Sequence, residues 1–165
     1  MDFLSLLQRD HGDLQQELTQ LLDPLATVPQ LRAALDGVWL GLTAHSEAED
    51  IVLGRFEGIA TLEVLVRQGR GAHQLQERTL SALVTARPGT TSWRELARHL
   101  RDLVHEHAVH EEQYLLPALR ELAPQEMYAA LAGAFATERL RQLAMLQPSA
   151  PLYLPEPPFI GAHVS

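Results

Sequence analysis

The chain has 165 residues, 46% of them hydrophobic and 21% charged, which suits one globular unit with a real core and excludes a disordered or fibrous protein. A net charge of −8, with all 13 positive residues arginine, leaves no basic footprint for nucleic acid or for an anionic membrane surface. The absence of cysteine excludes disulfides, thiolate catalysis and cysteine-ligated zinc or iron–sulfur sites. The start Met1-Asp-Phe-Leu lacks a basic leader, and no run approaches the ~18 apolar residues that span a bilayer, so the expected location is the cytoplasm.

From residue 2 to about 22, Leu4, Leu7, Leu14, Leu18 and Leu21 recur at helical spacing, and His11 takes the position this seam skips. Pro24 and Pro29 punctuate a connection, with Pro29 in the first turn of the next helix. The spacing predicts a second helix over about 29–57 along Leu31, Leu35, Val38, Leu42, His45, Glu49, Val52 and Phe56, stopped near Gly58. A third, over about 60–86, carries Leu62, Val66, Gly69, His73, Glu77, Leu80 and Val84. Gly69 and Gly71 each weaken that helix by about 1 kcal/mol relative to alanine. Gly69, one turn before His73, marks a kink or close packing, or leaves room for a small ligand.

After the turn at Arg87-Pro-Gly-Thr-Thr, Ser92-Trp-Arg-Glu95 reads as a capping box. It opens a fourth helix over about 93–121 along Leu96, Leu100, Leu103, His107, Glu111 and Tyr114. A fifth helix, from Pro124 to about 146, carries Leu131, Phe135, Leu140 and Leu143 but no histidine. It is assigned to covering the bundle or to a contact in a homodimer. The tail from Pro148 is proline-rich and extended, either strapped across the bundle by Tyr153 and Phe159 or serving as a docking peptide. The expected organisation is an all-α four-helix bundle over 1–122, an additional packed helix over 123–147 and the tail over 148–165.

At ~100° per residue, His107 and Glu111 fall in the stripe that should carry leucines, whereas His105 points away and His110 sits on the flank. His45 with Glu49 and His73 with Glu77 repeat the same i, i+4 arrangement. With short connections and a rise of ~1.5 Å per residue, His11, His45, His73 and His107 all lie within roughly one turn of a common level. Three carboxylates buried beside them would repel one another and resist leaving water unless a cation neutralised them. Imidazole and carboxylate without sulfur suit iron, manganese or zinc. Seven donors exceed one tetrahedral zinc and suit two metals bridged by carboxylates. The ferritin-like arrangement needs Glu-x-x-His on two helices, and no Glu here has a His three residues later.

His11 preceded by Asp10, His45-x-x-x-Glu49-Asp50, His73, and His107-x-x-x-Glu111-Glu112 followed by Leu-Leu-Pro117 resemble the hemerythrin-like HHE cation-binding family over about residues 1–120. The resemblance implies an up-down-up-down antiparallel four-helix bundle holding a non-haem di-iron centre. By position it makes Glu49 and Glu111 bridging carboxylates, gives His11 and His45 to one iron, and His73, His107 and Glu77 to the other. In oxygen-carrying hemerythrins the position of Glu77 is a His, and a carboxylate there would favour the ferric state. The expected partners are therefore O₂, peroxide or nitric oxide as reactants, or iron and redox state as signals, rather than stored oxygen. The alternative is a non-enzymatic regulatory or interaction bundle with a structural metal, zinc or manganese. Asp10, Asp50, Glu106 and Glu112 are assigned to solvated helix faces, and Tyr114 to the core or to the pocket beside Glu111.

Overall fold

A computed structural model describes residues 1–147; the expectations for the proline-rich tail lie outside the described residues. Six α-helices form among the described residues: α1 (Phe3–Gln20), α2 (Val28–Leu53), α3 (Ala60–Thr85), α4 (Thr91–His110), α5 (Leu116–Leu122) and α6 (Gln125–Leu146). No strand occurs among the described residues, and none of their helices is long and apolar enough to cross a membrane.

Local chemistry sets the ends. The Asp2 carboxylate accepts the Ser5 amide at 2.8 Å and starts α1. Thr27 and Gln30 form a reciprocal capping box, with Pro29 in the first turn of α2. α2 ends before Gly58, at Leu53, and a single 3₁₀ turn over Gly54–Phe56 leads towards α3. α4 starts two residues earlier than a Ser92 cap allows, because the Thr90 hydroxyl accepts the Trp93 amide instead.

The run from α4 to α5 is interrupted by a π-helical segment, Glu111–Leu115, in which the Leu116 amide reaches back five residues to the Glu111 carbonyl. Pro117 has no N–H to give, and its ring would press on the carbonyl four residues earlier in a regular helix; the wider turn relieves both. It also rotates everything beyond it. Leu115, Leu116 and Leu119 turn inward, and Tyr114 is expelled to 56% exposure, its ring 4.9 Å from that of His110. Neither expected place for Tyr114 is therefore correct.

Helices α1, α2, α3 and α4 touch in a closed ring: α1 against α2, α2 against α3, α3 against α4, and α4 against α1. Two apolar clusters fill it. One holds Phe3, Leu7, Val52, Phe56, Val66, Leu115 and Phe135; the other holds Leu14, Leu18, Leu42, Leu80, Trp93, Leu100 and Val104. α1, α2 and α3 each pass from one cluster to the other, and α4 does so together with its continuation beyond His110, in alternating order along the chain; at the crossing each carries its His or His and Glu. A polar layer thus divides the core.

The fifth long helix, α6, packs mainly along α2 and also touches α1. It buries Leu131, Phe135 and Gln142, while Leu140 is 65% exposed, against expectation. In α3 the buried face drifts to Gln76, Leu80 and Leu83, leaving Val84 exposed. A stripe on a ~3.6-residue helix is wide enough for either edge to be inward, and the neighbouring helices decide which.

Candidate metal centre

Six of the seven expected donors meet in the polar layer. His11, His45 and Glu111 form one buried group, and Glu49, His73 and His107 another, with the facing atoms of each group within 4.8 Å of one another. The groups adjoin. Glu49 Oε2 lies 3.1 Å from His45 Nε2 and 3.4 Å from His73 Nε2. Glu111 Oε2 lies 3.4 Å from His11 Nε2 and 3.5 Å from His107 Nε2. Each carboxylate therefore reaches histidines of both groups. Glu77, the seventh, is exposed and belongs to neither; the residue that turns inward one turn after His73 is Gln76, 2% exposed. The expectation of an anionic donor at position 77 is corrected accordingly.

Three of the carboxylates assigned to solvent stand behind the histidines instead. Asp10 Oδ2 is 2.5 Å from His45 Nδ1, Asp50 Oδ1 is 2.8 Å from His73 Nδ1, and Glu112 Oε1 is 3.2 Å from His11 Nδ1. An ionised carboxylate only accepts, so each of these Nδ1 atoms carries a proton and donates, and it is Nε2 that faces inward and offers its lone pair whenever the ring is neutral. No carboxylate among the described residues pairs with Nδ1 of His107, and Glu106 is exposed.

A sequence signal for these partners existed. Each acid adjoins a donor of its own helix, and a step of ~100° around that helix aims it at the histidine of a neighbouring one.

α6 adds two further contacts that sequence reasoning missed. The Phe135 ring packs edge-on against His45, with centroids 5.6 Å apart. Arg139 Nε lies 3.0 Å from the second Asp10 oxygen. Burial resists the ionisation of Asp10, but the hydrogen bond and charge of His45, with the charge of Arg139, hold its carboxyl below the usual range.

The electrostatics of the metal-free layer are lopsided. Burial opposes a charged His45, yet its bonds to Asp10 and Glu49 raise its pKa to about 9. Burial likewise opposes a charged His73, whose bonds to Asp50 and Glu49 raise it to about 10. His11 is held down by burial and by the charge of His45. Burial and the charge of Glu49 push Glu111 well above the carboxylate range, whereas Glu49, despite its burial, is held well below it by hydrogen bonds from Glu111 and the histidines. The two buried carboxyl groups are thus driven in opposite directions, as two like charges sharing one dry site must be, and they titrate as a pair.

Even so, these contacts are close without being well directed: His11 Nε2, His73 Nε2, His107 Nε2, Glu49 Oε2 and both Glu111 oxygens are buried and none meets a partner in hydrogen-bonding geometry. Orphaned buried polar atoms each cost about 1–3 kcal/mol, and charged ones more. Once their protons leave, all of them are lone-pair donors, pointing at one another and backed by further acid. Cations satisfy such a donor set, and the residues present fit them.

Between α2 and α3 a groove of about 610 Å³ runs down to His73, lined also by Trp39, Leu42, Asp50, Gln76 and Leu80.

The family model of the hemerythrin HHE cation binding domain matches residues 2–119. No curated protein and no solved structure matches the chain.

Proposed function

Because the chain belongs to the hemerythrin HHE cation binding domain family, we propose that it is a cytoplasmic, hemerythrin-like up-down-up-down bundle holding two non-haem iron ions in its polar layer. His11 and His45 would hold one ion and His73 and His107 the other, with Glu49 and Glu111 the carboxylates that reach histidines of both pairs. The observation that carries this reading is the convergence of the two buried groups onto a common set of orphaned nitrogen and oxygen atoms. The alternating passage of the helices between the two apolar clusters supports the topology.

The function is binding of, or reaction with, O₂, peroxide or nitric oxide, or the sensing of iron and redox state. A pair of iron ions supplies, when bound, the electrons and the free coordination position that such small molecules need. The chain supplies the rest. Asp10, Asp50 and Glu112 fix the histidine tautomers, and the apolar clusters on either side keep bulk water from the layer. Glu49 and Glu111 would offset the metal charge, and a proton held within the pair would leave as metal binds. Imidazole and carboxylate alone, with no thiolate, favour iron or manganese over a closed structural zinc site.

The test is metal analysis of protein purified without added metal, with its visible spectrum recorded before and after dithionite. About two irons per chain, with absorption that bleaches on reduction, is the expected result. Zinc alone, or no uptake even after anaerobic ferrous loading, would sink the proposal.

A further inference from the structure

Four residues form the layer next to the histidines on the side of the second apolar cluster, each three positions from its helix's histidine: Leu14, Leu42, Gln76 and Val104. Three are apolar and buried; the fourth is a carboxamide only 2% exposed. Both the nitrogen and the oxygen of the Gln76 amide are buried without a hydrogen-bond partner. An amide among leucines with nothing to bond is destabilising, so a functional partner is the economical explanation. Helical side chains lean towards the N-terminus of their helix. A residue three positions after His73 therefore covers the surface over His73, on the side of the centre where His107 also lies. Gln76 lines the α2–α3 groove together with His73, which joins the amide to a route from solvent.

We infer that Gln76 is the residue that hydrogen-bonds a small ligand on the His73–His107 half of the centre, its amide N–H donating to a ligand that enters along the α2–α3 groove. The ligand class is a diatomic or triatomic molecule or anion with a terminal acceptor atom. The amide is neutral, so it can donate to the ligand without adding charge to an already acidic centre. The inference rests on the metal-centre reading above.

Azide is the probe, added to the oxidised, iron-loaded full chain. Gln76→Leu and Gln76→Met both remove the donor while keeping most of the volume. Each is expected to load as much iron as the wild type and to melt no lower, since an unpaired buried amide is gone. Each should bind azide about tenfold more weakly, the loss of one hydrogen bond, and should shift the azide stretching frequency. Gln76→His, which restores a donor, should recover part of the affinity. Unchanged azide affinity and stretching frequency in a fully loaded leucine or methionine variant would overturn the role of Gln76 and leave the metal centre standing. A wild-type chain that takes up no iron would overturn both.

Discussion

The two halves of the polar layer are built from the same residue types and differ in what stands behind them. His11 and His45 are each braced by a carboxylate, Glu112 and Asp10, and Asp10 is itself held by Arg139 of α6 while Phe135 covers the His45 ring. On the other side His73 has Asp50, but His107 has no acid behind it among the described residues. Gly69 lies over His107, where a Cβ would meet only its Cε1, at 3.6 Å. The groove and Gln76 lie on this side too. Bracing and covering hold a donor in one geometry; leaving a ring unbraced beside a groove leaves room for a ligand. On the proposed reading, the covered half secures its metal and the open half does the chemistry.

Removing what the halves share should have the largest effect. Glu49→Gln takes the charge from the carboxylate that meets His45 and His73. Metal should be lost from both halves. The metal-free protein should also lose about 3–5 kcal/mol in urea unfolding, because buried ion pairs are broken and His45 and His73 each keep only the carboxylate at Nδ1. Emptying of one half alone would show the halves to be independent.

Phe135→Ala breaks the cover. Phe135 is fully buried against Phe3 and His45, so about 3–5 kcal/mol of stability should go. Chelator competition should find only one of the two metals weakened.

The metal-free chain should also lose stability in alkali. The folded pKa values of about 9 for His45 and about 10 for His73 lie above the ordinary histidine value of 6.5. The stability they contribute is complete below pH ~6.5 and disappears as pH rises through the folded values, by at most about 1.4 kcal/mol per histidine for each pH unit climbed. Chemical unfolding from pH 6 to 10 should fall by a few kcal/mol without metal. With metal the fall should be smaller, since metal binds the neutral rings. A flat profile for the metal-free chain would refute the proton assignment.

Smaller effects should separate the halves. Arg139→Gln should weaken one metal about 10–100-fold through Asp10 and His45, and Asp50→Asn the other through His73. Isothermal titration that found the same metal weakened by both would break the comparison. Gly69→Ala should raise stability by up to about 1 kcal/mol, as an ordinary helix gain with a tolerable contact on His107. A drop in thermal midpoint would mean that the His107 ring cannot give way.

Every residue expected in the α2 seam, from Leu31 to Phe56, is buried, and the four histidines do share a level. Those features follow from helical period, chain length and short connections, which are local quantities. Where the expectations failed, at Glu77, Val84, Tyr114 and Leu140, a side chain lay near the edge of its stripe or beyond a change of helical pitch. The stripe's edge depends on which helix packs there.

Composition and spacing by themselves determined a helical bundle over the described residues, a shared layer of histidine and glutamate, and the need for a cation within it. Only the tertiary structure decided which acids brace which histidines, because Asp10, Asp50 and Glu112 act across to a neighbouring helix whose position no single-helix pattern contains. It likewise decided that Gln76 rather than Glu77 faces inward, and that α6 covers one half and leaves the other to the groove. The reason is physical: periodicity sets which side of a helix is apolar, but contact across helices sets what each polar atom meets.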